Sequence, residues 1–161
     1  MLKNTKGFTL MELTVVVLIL TVLLSVSVPK YRSATKKAQV SSNLPLIKAL
    51  QDDIINYYNL SGTLPDNLFQ LSLNRAEFSN ISQRSAKHNA TNCTVTLANP
   101  GNGVTIDCGS GWSLVYTVKR SGAGYISDRR IFNISDGMES YKTIASSFKW
   151  REIDDHTFAI N

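Results

Sequence analysis

The sequence has few of the residues that catalytic and metal sites use. Its 161 residues include only two histidines, His88 and His156, and two cysteines, Cys93 and Cys108. It contains no nucleophile elbow, no phosphate-binding loop and no HExxH zinc motif. We therefore expect neither an enzyme nor a protein that carries a cofactor or a metal ion.

Charge is also scarce near the N-terminus. From Phe8 to Val28 the sequence runs through 21 residues in which Glu12 is the only charged one. As an α-helix this stretch is about 32 Å long, which matches a hydrocarbon core of roughly 30 Å. A carboxylate inside such a span costs roughly 2.5–3.5 kcal/mol on insertion scales, so its default interpretation is functional, with a cationic partner. Basic residues flank both ends of the stretch and leave its orientation open.

A small residue at which a leader could be cut comes before the apolar run. A secretory signal peptide has its cleavage site after about 7–15 apolar residues, whereas here Gly7 precedes Phe8. The segment Lys6-Gly7-Phe8-Thr9-Leu10-Met11-Glu12-Leu13, with Pro29 and Tyr31 at the far end, resembles the class III leader of type IV prepilins and pseudopilins. An ordinary signal anchor, with Glu12 reaching the membrane interface, is the alternative.

The resemblance implies a processing step and an assembly role. Residues 1–7 would be a leader peptide, cut between Gly7 and Phe8 by a prepilin peptidase, and the new terminus at Phe8 would be methylated. Glu12 would then meet the α-amine of a neighbouring Phe8. Pairing relieves the penalty that each charge bears alone in lipid, so the pair would set the stagger of packed helices. Pro29 would mark a place where the helix kinks or melts in the fibre, or be a simple kink.

The resemblance also implies a function, a structural subunit of a type IV pilus-like filament. The implied partners are the prepilin peptidase, identical or related pilin subunits, the inner-membrane assembly machinery and, before assembly, membrane lipid. The precursor would cross the inner membrane once, and the product would lie in a cell-surface pilus or a periplasmic pseudopilus. The alternatives are a pseudopilin of a type II secretion system and a minor pilin that acts as a receptor in DNA uptake or adhesion.

The rest of the chain predicts an α+β, pilin-like fold. We expect a transmembrane and assembly helix at 8–28, an amphipathic helix at 29–60 and a β-rich head at 61–161. Apolar residues of the second helix recur at steps of three or four and should pack on an antiparallel sheet: Leu44, Ile47, Leu50, Ile54 and Tyr58. Pro45 predicts a bend and a restarted helix, and Gly62 predicts the end of the helix.

Two runs of alternating residues around a turn sequence at 99–102 predict a β-hairpin. If paired residue numbers sum to 201, one face carries the apolar residues and both cysteines: Cys93, Val95, Leu97, Val104, Ile106 and Cys108. The pairing that buries the apolar residues thus also brings the cysteines together, and we predict a Cys93–Cys108 disulfide. Zinc binding is the competing interpretation, but the sequence offers no second pair of ligands.

A basic cluster lies around the next predicted hairpin, whose strands are expected at 112–119 and 125–134: Lys119, Arg120, Arg129 and Arg130. These residues would converge and contact an anion or a DNA backbone, with Tyr125 available for stacking. A solvated charged face is the simpler alternative. We expect a loop or short helical turn at 65–73, an irregular segment at 74–92 and further strands at 147–153 and 157–160.

Overall fold

The part of the chain that the structure describes forms one long helix, one antiparallel sheet and one short helix. It is a computed structural model that describes residues 7–98, 102–121, 125–135, 137, 138 and 140–160. Its residues divide into two compact units, Met1–Lys36 and Lys37–Asn161. Helix α1 spans Leu10–Ser61, and helix α2 spans Ser140–Ser147. Two single 3₁₀ turns lie at Leu68–Gln70 and Arg75–Glu77.

Eight strands form a single antiparallel sheet in the order β1-β2-β3-β4-β5-β6-β8-β7. The strands are β1 Phe78–Ser79, β2 Ser85–His88, β3 Thr94–Leu97, β4 Gly103–Asp107, β5 Trp112–Ser121, β6 Tyr125–Ile134, β7 Arg151–Asp154 and β8 Thr157–Ala159. Neighbours in sequence pair as far as β6, after which β8 lies beside β6 and β7 forms the edge. The predicted α+β, pilin-like fold is confirmed.

The core of the second unit lies between the sheet and the C-terminal part of α1. Ile47, Leu50 and Ile54 have no exposed surface, as the helical spacing predicts, whereas Leu44 and Tyr58 are only half-buried. The sheet contributes the alternate residues of its inner face, among them Val95, Leu97, Ile106, Leu114, Tyr116 and Phe132. The helix and the sheet therefore share one apolar core, which fixes the positions of the strands.

Helix α1 continues without a break through Pro45, so the predicted restart of the helix near residues 42–45 was wrong. A proline removes one intrahelical hydrogen bond. The buried stripe on either side of Pro45 holds the helix against the sheet despite that loss. The helix ends as predicted: Gly62 has a φ of +71°, and its N–H donates to the Tyr58 carbonyl at 2.8 Å. This bond is the αL type of helix end, which favours glycine.

Residues 74–92 are more regular than predicted. They contain a 3₁₀ turn and the strands β1 and β2, and β2 pairs with β3 with Ala86 opposite Val95. The expectation of an irregular segment was therefore wrong. Strands this short leave too few alternating positions for a period of two to stand out in the sequence.

The region after β6 also differs from the prediction, because a helix lies where no element was expected. Helix α2 buries Tyr141, Ile144 and Ala145, and the strand expected at 147–153 begins only at Arg151. The Phe132 ring packs between this helix and the following segment, with its centroid 6.4 Å from Tyr141 and 5.2 Å from Trp150. Aromatic residues of β6, of α2 and of the segment before β7 thus pack together.

Candidate functional site

Thr9 and Glu12 together close the N-terminus of α1. The Thr9 N–H and hydroxyl donate to Glu12 Oε2 at 2.9 Å and 2.8 Å, and the Glu12 N–H faces Thr9 Oγ1 at 3.3 Å. Thr9 precedes the first helical residue, so the pair forms a capping box, in which two otherwise unpaired backbone donors are satisfied reciprocally. Glu12 Oε1 makes no hydrogen bond with any residue in the described part of the chain. The carboxylate is therefore a helix cap that keeps one acceptor oxygen available.

Sequence reasoning did not identify this role of Thr9. The signal was present, since a threonine followed three residues later by a glutamate is the pattern of a capping box before an apolar run. From the sequence alone, Glu12 was assigned only a cationic partner, the α-amine of a neighbouring Phe8. The structure adds a local partner within the same chain.

The apolar stretch after the cap is exposed along its whole length. Every residue from 7 to 35 is exposed, including Phe8 at 82% and Leu18 at 66%. By length and composition the helix is suited to crossing a membrane. Its hydroxyl groups donate to carbonyls of the same helix, as Thr21 does to Leu18 at 2.7 Å and Ser25 to Val22 at 2.7 Å. A surface whose polar groups are satisfied internally is compatible with hydrocarbon or with other helices.

The predicted processing residues lie at the start of this segment. Gly7 is exposed, and an added Cβ would meet no atom within 4 Å. Pro29 lies inside the continuous helix and is exposed, so the structure contains no break at that position. Lys3 and Lys6 of the predicted leader lie outside the described residues.

The hairpin of β3 and β4 has the register predicted from the sequence. Leu97 lies opposite Val104 and Val95 opposite Ile106, with all four side chains buried. A disulfide joins Cys93 to Cys108 just beyond the paired residues, where the same register places them. Most of the predicted turn, at 99–101, lies outside the described residues. The disulfide and the burial of the apolar face thus stabilise the same register of β3 and β4.

A polar cleft of about 590 Å³ borders this disulfide. Asn43 of α1 lies at its wall and is almost fully buried, at 1% exposure. Its Nδ2 donates to the Gln39 carbonyl at 2.9 Å and lies 3.7 Å from Cys108 Sγ. The amide therefore links α1 to the end of the hairpin.

The strand register places the residues of the predicted basic cluster on both faces of the sheet. Arg129 lies opposite Thr117, and Lys119 lies two residues further along β5, so both belong to the outer face of the sheet. Arg130 lies opposite the buried Tyr116 and therefore belongs to the inner face. Arg120 is in β5, but its side chain and that of Tyr125 lie outside the described residues. The register brings together two of the four cations, Lys119 and Arg129.

The N-terminal part of the chain matches a known sequence motif. A family model described as the prokaryotic N-terminal methylation motif matches residues 2–28. A type IV major pilin protein, PilE1 of Neisseria gonorrhoeae, is 39% identical over 62 residues, which are 38% of this chain and 38% of that protein. A fimbrial protein of Neisseria meningitidis serogroup A is 39% identical over 62 residues, 38% of this chain and 36% of that protein. The match thus spans little more than a third of these relatives. No solved structure matches the chain.

Proposed function

The chain belongs to the type IV pilin family, a family of structural and non-enzymatic proteins, and from this premise we propose that it is a structural subunit of a type IV pilus-like filament. The subunit assembles through the N-terminal half of α1 after a prepilin peptidase has cut between Gly7 and Phe8. In this proposal residues 1–7 are the leader, 8–28 the membrane and assembly helix, 29–60 the amphipathic helix and 61–161 the head.

The observation that carries the proposal is the exposed apolar helix with one carboxylate at its start. Residues 8–28 expose side chains such as Leu10 at 81% and Leu18 at 66%, and so large an apolar surface requires lipid or other helices around it. Before assembly, lipid of the inner membrane provides this environment. In the filament, the same segments of identical or related subunits replace it.

Glu12 supports the assembly step through its available oxygen. Oε2 is engaged by Thr9 of the same chain, whereas Oε1 has no partner in the described part of the chain. Cleavage after Gly7 creates an α-amine on Phe8, which needs an anion once it leaves water. A neighbouring subunit that places this amine against Oε1 satisfies both charges and leaves the cap intact. The assembly machinery of the inner membrane would then add subunits at a fixed stagger.

The relatives favour a pilus over a periplasmic pseudopilus. The matching proteins are named a type IV major pilin protein and a fimbrial protein, and neither is named a pseudopilin. Pilus and pseudopilus subunits share the leader, so the location of the product distinguishes them. Immunogold imaging with an antibody to the head should label surface filaments. Labelling of short periplasmic fibres alone would instead assign the chain to a type II secretion pseudopilus.

Two substitutions separate the charge of Glu12 from its capping role. Glu12→Gln keeps a side chain that can complete a capping box but removes the negative charge. Thr9→Ala weakens the cap, by about 1 kcal/mol, and keeps the charge. An amine left buried without its partner costs about 3–5 kcal/mol, which corresponds to a shift of more than 100-fold in the filament-to-subunit ratio. Glu12→Gln should therefore abolish filaments, and Thr9→Ala should reduce them only mildly.

The measurement is the amount of the chain in sheared surface filaments relative to the amount in the membrane. Mass spectrometry of the membrane fraction should show a mature N-terminus at methylated Phe8 in the wild type and in both variants. Normal filaments from Glu12→Gln would refute the pairing with the amine. A wild-type product that begins at Met1, or that lacks residues 8–28, would refute the processing.

A further inference from the structure

We propose that Lys119 and Arg129, together with Thr117, form a binding site for a phosphate group on the outer face of the sheet. The site is independent of the assembly helix, so it goes beyond the proposed filament function. Thr117 and Lys119 of β5 and Arg129 and Ile131 of β6 line a depression of about 260 Å³. All four residues point to the same face, because Thr117 pairs with Arg129 and the others lie two residues away along their strands.

The spacing of the two cations allows both to contact one anion. Lys119 and Arg129 are diagonal neighbours across an antiparallel pair, a relation that separates the residues by about 7–8 Å and is within reach of long side chains. Both side chains are exposed, and the structure records no ion pair for either of them with a described residue. Two like charges at this distance repel each other, and an anion between them removes that repulsion.

Among the described side chains of β4, β5 and β6, the acidic residue of the outer face lies far from the depression. Asp107 is the acidic residue of β4 on that face, but it lies opposite Ser113, six residues along β5 from Lys119, a distance of about 20 Å. The Asp107 carboxylate also accepts a hydrogen bond from the Gly109 N–H at 2.8 Å. Of the described side chains that line the depression, Lys119 and Arg129 carry the charge.

The donor set favours phosphate over a carboxylate. A guanidinium offers two parallel N–H groups, the ammonium offers three N–H donors, and the hydroxyl of Thr117, which also lines the depression, adds one more. These donors approach from several directions, and the tetrahedral oxygens of phosphate can accept from all of them. The ligand is either free phosphate or the phosphodiester of a nucleic acid, since the site recognises the same chemical group in both.

The test uses the full chain in detergent with two probes, inorganic phosphate and a fluorescein-labelled DNA duplex. Calorimetry measures phosphate binding and fluorescence anisotropy measures duplex binding, each for the wild type and for Lys119→Gln, Arg129→Gln and Arg130→Gln. The last is the matched control, since it removes the same charge from the adjacent residue on the inner face. Circular dichroism and thermal melting confirm that each variant is folded. The two exposed changes, Lys119→Gln and Arg129→Gln, should leave both unchanged. Arg130 is half-buried, so the melting curve of its variant must first show that the sheet is intact.

Lys119→Gln and Arg129→Gln should each weaken binding at least tenfold, and Arg130→Gln should change it less than twofold. For the duplex, two phosphate contacts predict a slope of about −1.8 in log K against log salt, reduced by about 0.9 in each outer-face variant. Phosphate binding without duplex binding identifies free phosphate as the ligand. Duplex binding without phosphate binding identifies the phosphodiester. Binding of neither probe, or an equal loss in Arg130→Gln and Arg129→Gln, would overturn the site.

Discussion

Reduction of the Cys93–Cys108 disulfide should lower the free energy of unfolding of the head by about 3 kcal/mol. The bond joins residues 15 apart, and the chain-entropy model gives about that value for a loop of this length. For a unit of roughly 125 residues, such a loss lowers the melting temperature by about 10 °C. The effect acts on the unfolded chain, because reduction frees its ends while the buried Val95–Ile106 pair still holds the folded hairpin together.

The assay is a guanidinium titration of the full chain in detergent, with and without reductant. Tryptophan fluorescence reports on the head, because Trp112 is buried in the core at 2% exposure. Freeing the unfolded chain should also increase the surface exposed on unfolding, so the reduced form should have a larger denaturant slope. A difference of less than about 1 kcal/mol between the two forms would refute the entropic account.

A double variant, Cys93→Ala with Cys108→Ala, provides the control for reductant effects. It should resemble the reduced wild type, with an additional loss from the small cavity at Cys93, whose side chain is buried at 1% exposure. It should also be insensitive to reductant. If reductant destabilises this variant as much as the wild type, the measured loss does not come from the disulfide. The Asn43 amide loses its contact with the Cys108 sulfur in this variant and keeps only its bond to the Gln39 carbonyl within α1.

Two further predictions each concern one residue, Gly103 of β4 and Asp53 of α1. Gly103→Ala should lower the free energy of unfolding by about 1–3 kcal/mol in the same titration, because a Cβ there would collide with the Tyr116 carbonyl oxygen of β5. A loss of less than about 0.5 kcal/mol would contradict this close approach. Burial, followed by the neighbouring Asp52, raises the pKa of Asp53 above 3.8, so its ionisation destabilises the fold as pH rises above that value. Asp53→Asn should therefore be at least as stable as the wild type at pH 7, and its stability should fall less as pH rises above 4. Melting temperatures measured across this pH range test the prediction. A marked destabilisation of the variant at pH 7 would contradict it.

The hairpin of β3 and β4 was predictable because two independent constraints agree there. Its alternating runs determine which residues face the core, and a slip of one residue would expose all of them. The same register brings Cys93 to Cys108, so the disulfide and the buried apolar face require the same pairing of the two strands. The apolar stripe of α1 was equally readable, because Ile47, Leu50 and Ile54 recur with the helical period over two full turns.

The segment around α2 was not predictable for the opposite reason. Its eight residues include three serines and a threonine, which have no strong helix propensity, and only Tyr141, Ile144 and Ala145 carry the apolar spacing. The helix makes tertiary contacts, among them those of Tyr141 with the rings of Phe132 and Trp112. A contact of this kind decides between helix and strand only after the sheet has formed, and local sequence does not contain it.

The basic cluster illustrates why nearness in sequence is a weak guide to a site on a sheet. Arg129 and Arg130 are adjacent in the chain, but consecutive residues of a strand point to opposite faces. Their partners across the ladder, Thr117 and the buried Tyr116, show which face each one takes. The pairing that counts is between Arg129 and Lys119, ten residues apart. On the helix the rule is different, because residues three apart share a face, and for that reason Thr9 can reach Glu12. A charge pattern therefore predicts a site only once it is known whether the charged residues lie on a helix or on a strand.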